Sequence, residues 1–95
     1  MQKILTYVGF AIKSNKKIFG LDDLLKTKKK IGVILYSSSL EPNSYTKLDK
    51  FSNINNIKAI KVDPDLFVSL NISGVKVLGI TDPNLAKAII KTIND

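Results

Sequence analysis

The side chains in this chain that could carry chemistry are few in kind. Asp22-Asp23 is the one adjacent acidic pair, and such a pair can hold magnesium or favour the positive end of a helix. Lys13, Lys16, Lys17, Lys26, Lys28, Lys29 and Lys30 crowd around it, a set able to track a phosphate backbone. Lys28, Lys29 and Lys30 would equally suit the negative end of a helix that they close. Ser37, Ser38 and Ser39 follow an apolar run, where a nucleophile would stand, but they have no G-x-S-x-G setting and no histidine partner. A loop and a helix cap explain them better. Asp63 and Asp65 flank Pro64 and read as turn and capping residues.

What is missing narrows the chemistry further. The chain has no histidine and no cysteine, which removes the commonest general base, the usual zinc ligands, thiol nucleophiles and disulfides. The five glycines, at 9, 20, 32, 74 and 79, form neither GxGxxG nor a GxxxxGK phosphate loop. A non-enzymatic chain with no cofactor and no metal is the expectation.

Charge points to a partner. Fifteen basic residues, all of them lysine, stand against eight acids for a net +7. The distribution is uneven: residues 13–30 hold seven lysines and two aspartates, a net +5, whereas residues 31–95 add only +1. A basic patch on a small domain favours a polyanion, most often nucleic acid. The plainer alternative is a solubilising surface, and the absence of arginine beside abundant Asn and Ile reads as coding bias.

These residues must be positioned by one small domain, 1–95, whose 44% apolar content suffices for a core and excludes a wholly disordered chain. No apolar run approaches the roughly 20 residues that cross a bilayer. The start, MQKILTYVGFAIKSNKK, is interrupted by polar and basic residues, so a signal peptide is not expected and a cytoplasmic location is. Helical spacing of Ile4, Leu5, Val8, Ala11 and Ile12 predicts a first helix over 2–14. Gly20 interrupts the chain, and Leu21, Leu24 and Leu25 give one apolar face to a short helix over about 21–29. IGVILY (31–36) reads as a strand buried on both faces, IKAIKV (57–62) as an alternating strand and VKVLGI (75–80) as another. Glu41-Pro42 opens a third helix with Tyr45, Leu48 and Phe51 inward, and Asp63-Pro64 opens a short fourth. Thr81-Asp82-Pro83 caps a last helix with Leu85, Ala86, Ile89, Ile90 and Ile93 as its stripe. With a minor strand at Lys17–Phe19, the order predicts an α/β fold, a three-layer α/β/α sandwich around a small, about four-stranded mixed sheet, mainly parallel.

That order, the length and the segment FGLDDLLK (19–26) before IGVILY resemble the kink-turn-binding ribosomal protein superfamily. Its members include the archaeal large-subunit protein seven-Ae, the eukaryotic protein thirty-e and small bacterial relatives. The resemblance covers nearly the whole chain and rests on topology and a few positions. In that family a glycine precedes a helix whose first turn offers Asn-Glu, with a lysine three residues beyond the Glu, to the guanines of a kinked RNA. Gly20, Asp22, Asp23 and Lys26 fall on those places. Asp23 keeps an acceptor on a shorter arm, and Lys26 matches the family lysine. Asp22 departs from the pattern, because an ionised carboxylate cannot donate to base acceptors. A second family element, the loop before the last strand, falls on Leu70, Asn71, Ile72, Ser73 and Gly74, with Asn71 where a glycine is expected.

The resemblance implies an RNA-binding, ribosome-associated protein that recognises structured RNA, ribosomal RNA foremost. Lys16, Lys17, Lys29 and Lys30 would contact phosphates. Gly20, Asp22, Asp23 and Lys26 would read bases at the helix start, with Asn71 and Ile72 against an unstacked nucleotide. Ribosomal or other protein partners are the alternative, through a module that keeps the fold without the RNA chemistry. An accessory domain of an RNA-modifying enzyme is a third reading.

Overall fold

A computed structural model describes residues 2–94. In chain order the elements are α1 (Gln2–Lys13), β1 (Lys17–Phe19), α2 (Leu21–Lys26), β2 (Val33–Ser37), α3 (Pro42–Ile54), β3 (Ala59–Val62), α4 (Asp65–Ser69), β4 (Val77–Ile80) and α5 (Pro83–Asn94). The four strands form one sheet in the order β1-β4-β2-β3.

Strand alternation builds the two cores. Val33, Leu35, Leu78 and Ile80 point to one face and join Ile4, Val8 and Ala11 of α1, Leu66 and Phe67 of α4, and Ala86 and Ile89 of α5. Ile34 and Val77 point to the other face, under Leu24 of α2 and Leu48 of α3. Helices thus cover both faces, and the chain is an α/β sandwich. The centre of β2 is fully buried on both sides, as the unbroken run of Val33, Ile34 and Leu35 demands. Close packing of α2 depends on Gly79, because a Cβ there would stand 2.5 Å from Leu24 Cδ1. Gly32 does the same for α5, where a Cβ would meet that of Ala86 at 2.4 Å.

The sheet is mixed, not mainly parallel. β2 and β3 run parallel, but β4 runs antiparallel to both β1 and β2. The β2-α3-β3 unit is an ordinary crossover. By contrast, α4 has only 5 residues, and the chain returns through it to place β4 in the reverse direction between β1 and β2.

Four further expectations are corrected. α2 stops at Lys26 and does not reach 29, because Thr27 turns to φ −67° and ψ 144°. Its hydroxyl then accepts the Lys29 N–H at 3.1 Å, a local bond that competes with the next helical turn. Lys28, Lys29 and Lys30 therefore do not close that helix. Leu25, grouped with the apolar face of α2, is 36% exposed, and Tyr45, placed inward on α3, is 42% exposed. Six residues give α2 room for one fully buried side chain, Leu24. The α5 cap is as expected: Asp82 Oδ1 accepts the N–H groups of Asn84 at 2.8 Å and Leu85 at 3.0 Å.

Candidate functional site

Two ends of the sheet organise the predicted site residues. At the upper end β1, β2 and β3 finish and β4 begins; at the lower end the reverse holds. α2 starts at the upper end, where the Gly20 N–H donates to the Val77 carbonyl at 2.8 Å. Gly20 has φ 87° and ψ 149°, a conformation that side chains other than glycine's adopt only with strain. Asp22 and Asp23 are exposed in the first turn of α2, where carboxylates suit the helix's positive end.

Asn71 and Ile72 also belong to the upper end, in the connection that leads into β4. Asn71 takes φ 61°, so it supplies the left-handed backbone that a glycine would otherwise supply there, as asparagine can. Its N–H donates to the Val68 carbonyl, and that of Ile72 to the Phe67 carbonyl at 2.9 Å. Ile72 is half-buried against the core beneath α1 and α5, which ties it to that core.

The lysines lie elsewhere. Lys17 pairs with Ile80 in β1, and the Lys16 carbonyl accepts the Thr81 N–H at 2.9 Å, so both lie at the lower end. Lys30 leads into β2 at that end, where the Gly32 N–H reaches the Ile80 carbonyl at 2.8 Å. The predicted set is therefore split between the two ends of the sheet.

Between them runs the feature that brings several together. A shallow open depression of about 430 Å³ follows the free edge of β1, lined by Lys17, Phe19, Asp23, Lys26, Thr27 and Lys29, with Ile18 beside them. Three lysines face one carboxylate there, a positive excess in a solvent-open trough. Lys17 Nζ lies 5.2 Å from the centre of the Phe19 ring and donates to Asn15 Oδ1 at 2.8 Å, so its stem is held along the trough. Lys16, Gly20, Asp22, Lys30, Asn71 and Ile72 do not line it. Phe19 and Thr27 do, and charge reasoning missed both; the signal for Phe19 was its place two residues after Lys17 on a strand, which sets the two on one face.

The upper end holds a second depression of about 440 Å³ beyond the parallel pair β2 and β3, lined by Tyr36, Ser38, Leu40, Pro42, Tyr45 and Lys61 among others. The Tyr36 and Tyr45 rings are 5.5 Å apart at 45°. Burial pushes the Tyr36 hydroxyl above the usual tyrosine range, and Tyr45 and Asp49 push in the same direction. The Ser37 hydroxyl is committed: it accepts the Ser39 N–H at 3.0 Å and shares a hydrogen bond with the Ser39 hydroxyl at 2.7 Å. Asp63 Oδ1 accepts the Asp65 N–H at 2.9 Å, the turn role expected of it. Among the described residues no group of three or more His, Cys, Asp or Glu side chains could hold a metal, and no helix is long and apolar enough to cross a membrane.

No protein-family model matches the chain, and no curated protein matches it. A solved structure does: a protein of unknown function from Bacillus halodurans C superposes with a TM-score of 0.86 over 98% of both chains, at 17% sequence identity. At that identity the likeness establishes the fold.

Proposed function

We propose that the chain is a non-enzymatic RNA-binding protein that holds structured RNA along β1 and α2. The observation that carries the reading is the trough that Lys17, Lys26 and Lys29 line together, with Asp23 as its one carboxylate and Phe19 as an apolar part of its lining. A polyanion's backbone needs several cations spread along an open surface, and this trough supplies them without an enclosing wall. Asp23 adds an acceptor for base amino groups beside a lysine able to donate to guanine O6 and N7. Kink-turn recognition and ribosome association belong to the proposal through the resemblance of Gly20, Asp22, Asp23 and Lys26 to that family's RNA-reading helix.

The test is RNA binding by the full chain carrying Lys17→Ala, Lys26→Ala and Lys29→Ala together. Each phosphate contact removed lowers the slope of log affinity against log salt by about 0.7–0.9, so the triple variant should lose about two to three units if its lysines meet phosphates. An unchanged slope and affinity in the folded triple variant would remove the trough from the interface.

The second reading, a protein-interaction module of the same fold, draws on Asp22. Its exposed carboxylate suits a partner that donates hydrogen bonds and disfavours nearby phosphates. Recovery of a defined protein partner after nuclease treatment would favour it.

A further inference from the structure

The lysine run that the trough leaves out faces a cleft of its own. Residues 27–31 form a ridge, and Lys29 lines both sides of it. On the far side, between the ridge and the C-terminal end of α3, lies a cleft of about 290 Å³ lined by Lys28, Lys29, Lys30, Phe51, Asn55 and Asn56. Its other lining residues are Thr27, Ile31 and Ile57, so no acidic side chain contributes. The bond from the Lys29 N–H to Thr27 Oγ1 holds this segment out of helical geometry and along the rim.

The two walls have opposite preferences. The ridge offers ammonium groups, which suit phosphate oxygens. The facing wall is the end of the 13-residue helix α3, where backbone carbonyls give a negative partial charge. Asn55 sharpens this: its Nδ2 donates to the Phe51 carbonyl at 2.9 Å. A carbonyl only accepts, so the amide's NH₂ is the group that faces it; one N–H is spent there, and Oδ1 is left as an acceptor beside the second N–H. A ligand suited to both walls carries phosphate on one side and a hydrogen-bond donor on the other, with a flat apolar surface for the half-buried Phe51 between them. A nucleotide whose base bears an amino group offers two N–H donors on one atom, whereas uracil offers only its N3–H, flanked by two carbonyl oxygens that acceptors repel. The volume lies at the low end for small-ligand sites and limits the occupant to about one nucleotide.

We propose that this cleft takes one nucleotide, with an amino-bearing base, of a single strand that leaves the RNA element held in the trough and crosses the ridge at Lys29. The proposal rests on the RNA-binding reading and adds to it a second contact and a base preference.

The test compares three RNAs that share one structured element: blunt, extended by a short adenosine tail, and extended by a uridine tail of equal length. The full chain should bind the adenosine-tailed RNA about fivefold more tightly than the blunt one, the yield of one ordinary hydrogen bond, and should gain far less from uridine. Lys28→Ala with Lys30→Ala should abolish the gain, read as the ratio of tailed to blunt binding within the same variant, since neither residue lines the trough. Asn55→Ala should erase the difference between adenosine and uridine. Blunt binding with no gain from either tail would overturn the cleft and leave the trough standing. Equal gains from both tails would overturn the base preference assigned to the α3 wall. Saturation of the cleft by free adenosine monophosphate at micromolar concentration would overturn an RNA strand as the source of the nucleotide. If no RNA binds, the two proposals fall together.

Discussion

At the scale of single residues, Lys26 and Tyr36 give the sharpest tests. Lys26 is exposed at the end of α2 and lines the trough, so its removal should leave the fold intact. Lys26→Ala should cost about 1–3 kcal/mol of RNA binding if the amine reads a base, with melting temperature unchanged. A loss confined to low salt would assign it to phosphates instead. Tyr36 reports on the upper depression. Its hydroxyl ionises above the usual tyrosine range in the folded chain, because burial and the neighbouring Tyr45 and Asp49 disfavour the phenolate. A raised folded-state value means that this group's contribution to stability is fully present below the ordinary value near 10 and is lost as pH rises beyond it. Chemical denaturation across alkaline pH should show this loss, and Tyr36→Phe should reduce it. Equal loss in the two proteins would place the titration elsewhere. Residue identity alone made parts of this legible. Asn71 stands where the resemblance expects a glycine, and its φ of 61° is a left-handed backbone that glycine and asparagine adopt most readily.

At the scale of elements, α2 is the piece whose seating matters most, since it carries Asp23 and Lys26 into the trough. A single buried side chain, Leu24, anchors it over Gly79. Gly79→Ala puts a methyl group 2.5 Å from Leu24 Cδ1, and the overpacking should cost about 1–3 kcal/mol. Denaturant midpoints would measure this, and combining the change with Leu24→Val should recover part of the loss, because the smaller side chain withdraws the clashing atom. Additive losses would contradict the proposed contact. Most elements were legible because apolar spacing marks them locally: α1, β2 and α5 lie within a few residues of where their patterns put them. The end of α2 was not. Lysines suit a helix, and nothing in the run 28–30 forbids one; the stop comes from Thr27, whose hydroxyl captures the Lys29 N–H. The exposure of Leu25 follows from how few positions a six-residue helix can bury, and Tyr45 lines the upper depression beside the Tyr36 ring; periodicity reports neither.

At the scale of the whole molecule, strand direction was the least legible feature. A buried strand reads the same in either sense, so VKVLGI carried no sign that β4 enters between β1 and β2 and opposes them. That reversal brings Asn71, in the connection to β4, to the end of the sheet where α2 starts. Lys16, Lys17 and Lys30 lie at the other end, because β1 separates the first two from the start of α2 and the chain returns through α2 before Lys30, although the lysines and aspartates of 13–30 are adjacent in sequence. The trough along β1 and the ridge at Lys29 join the two ends, within a molecule only 30 × 25 × 25 Å across. A protein of this size with its cations so arranged should engage RNA over much of one flank. The measurement that tests this most directly is titration of a kink-turn RNA and a plain duplex of equal length against the full chain, each across a range of salt concentrations. A preference for the kinked RNA that persists as salt rises is the predicted result, since base and shape contacts outlast the release of counterions. Absence of binding to either RNA at low salt would contradict RNA recognition by this chain.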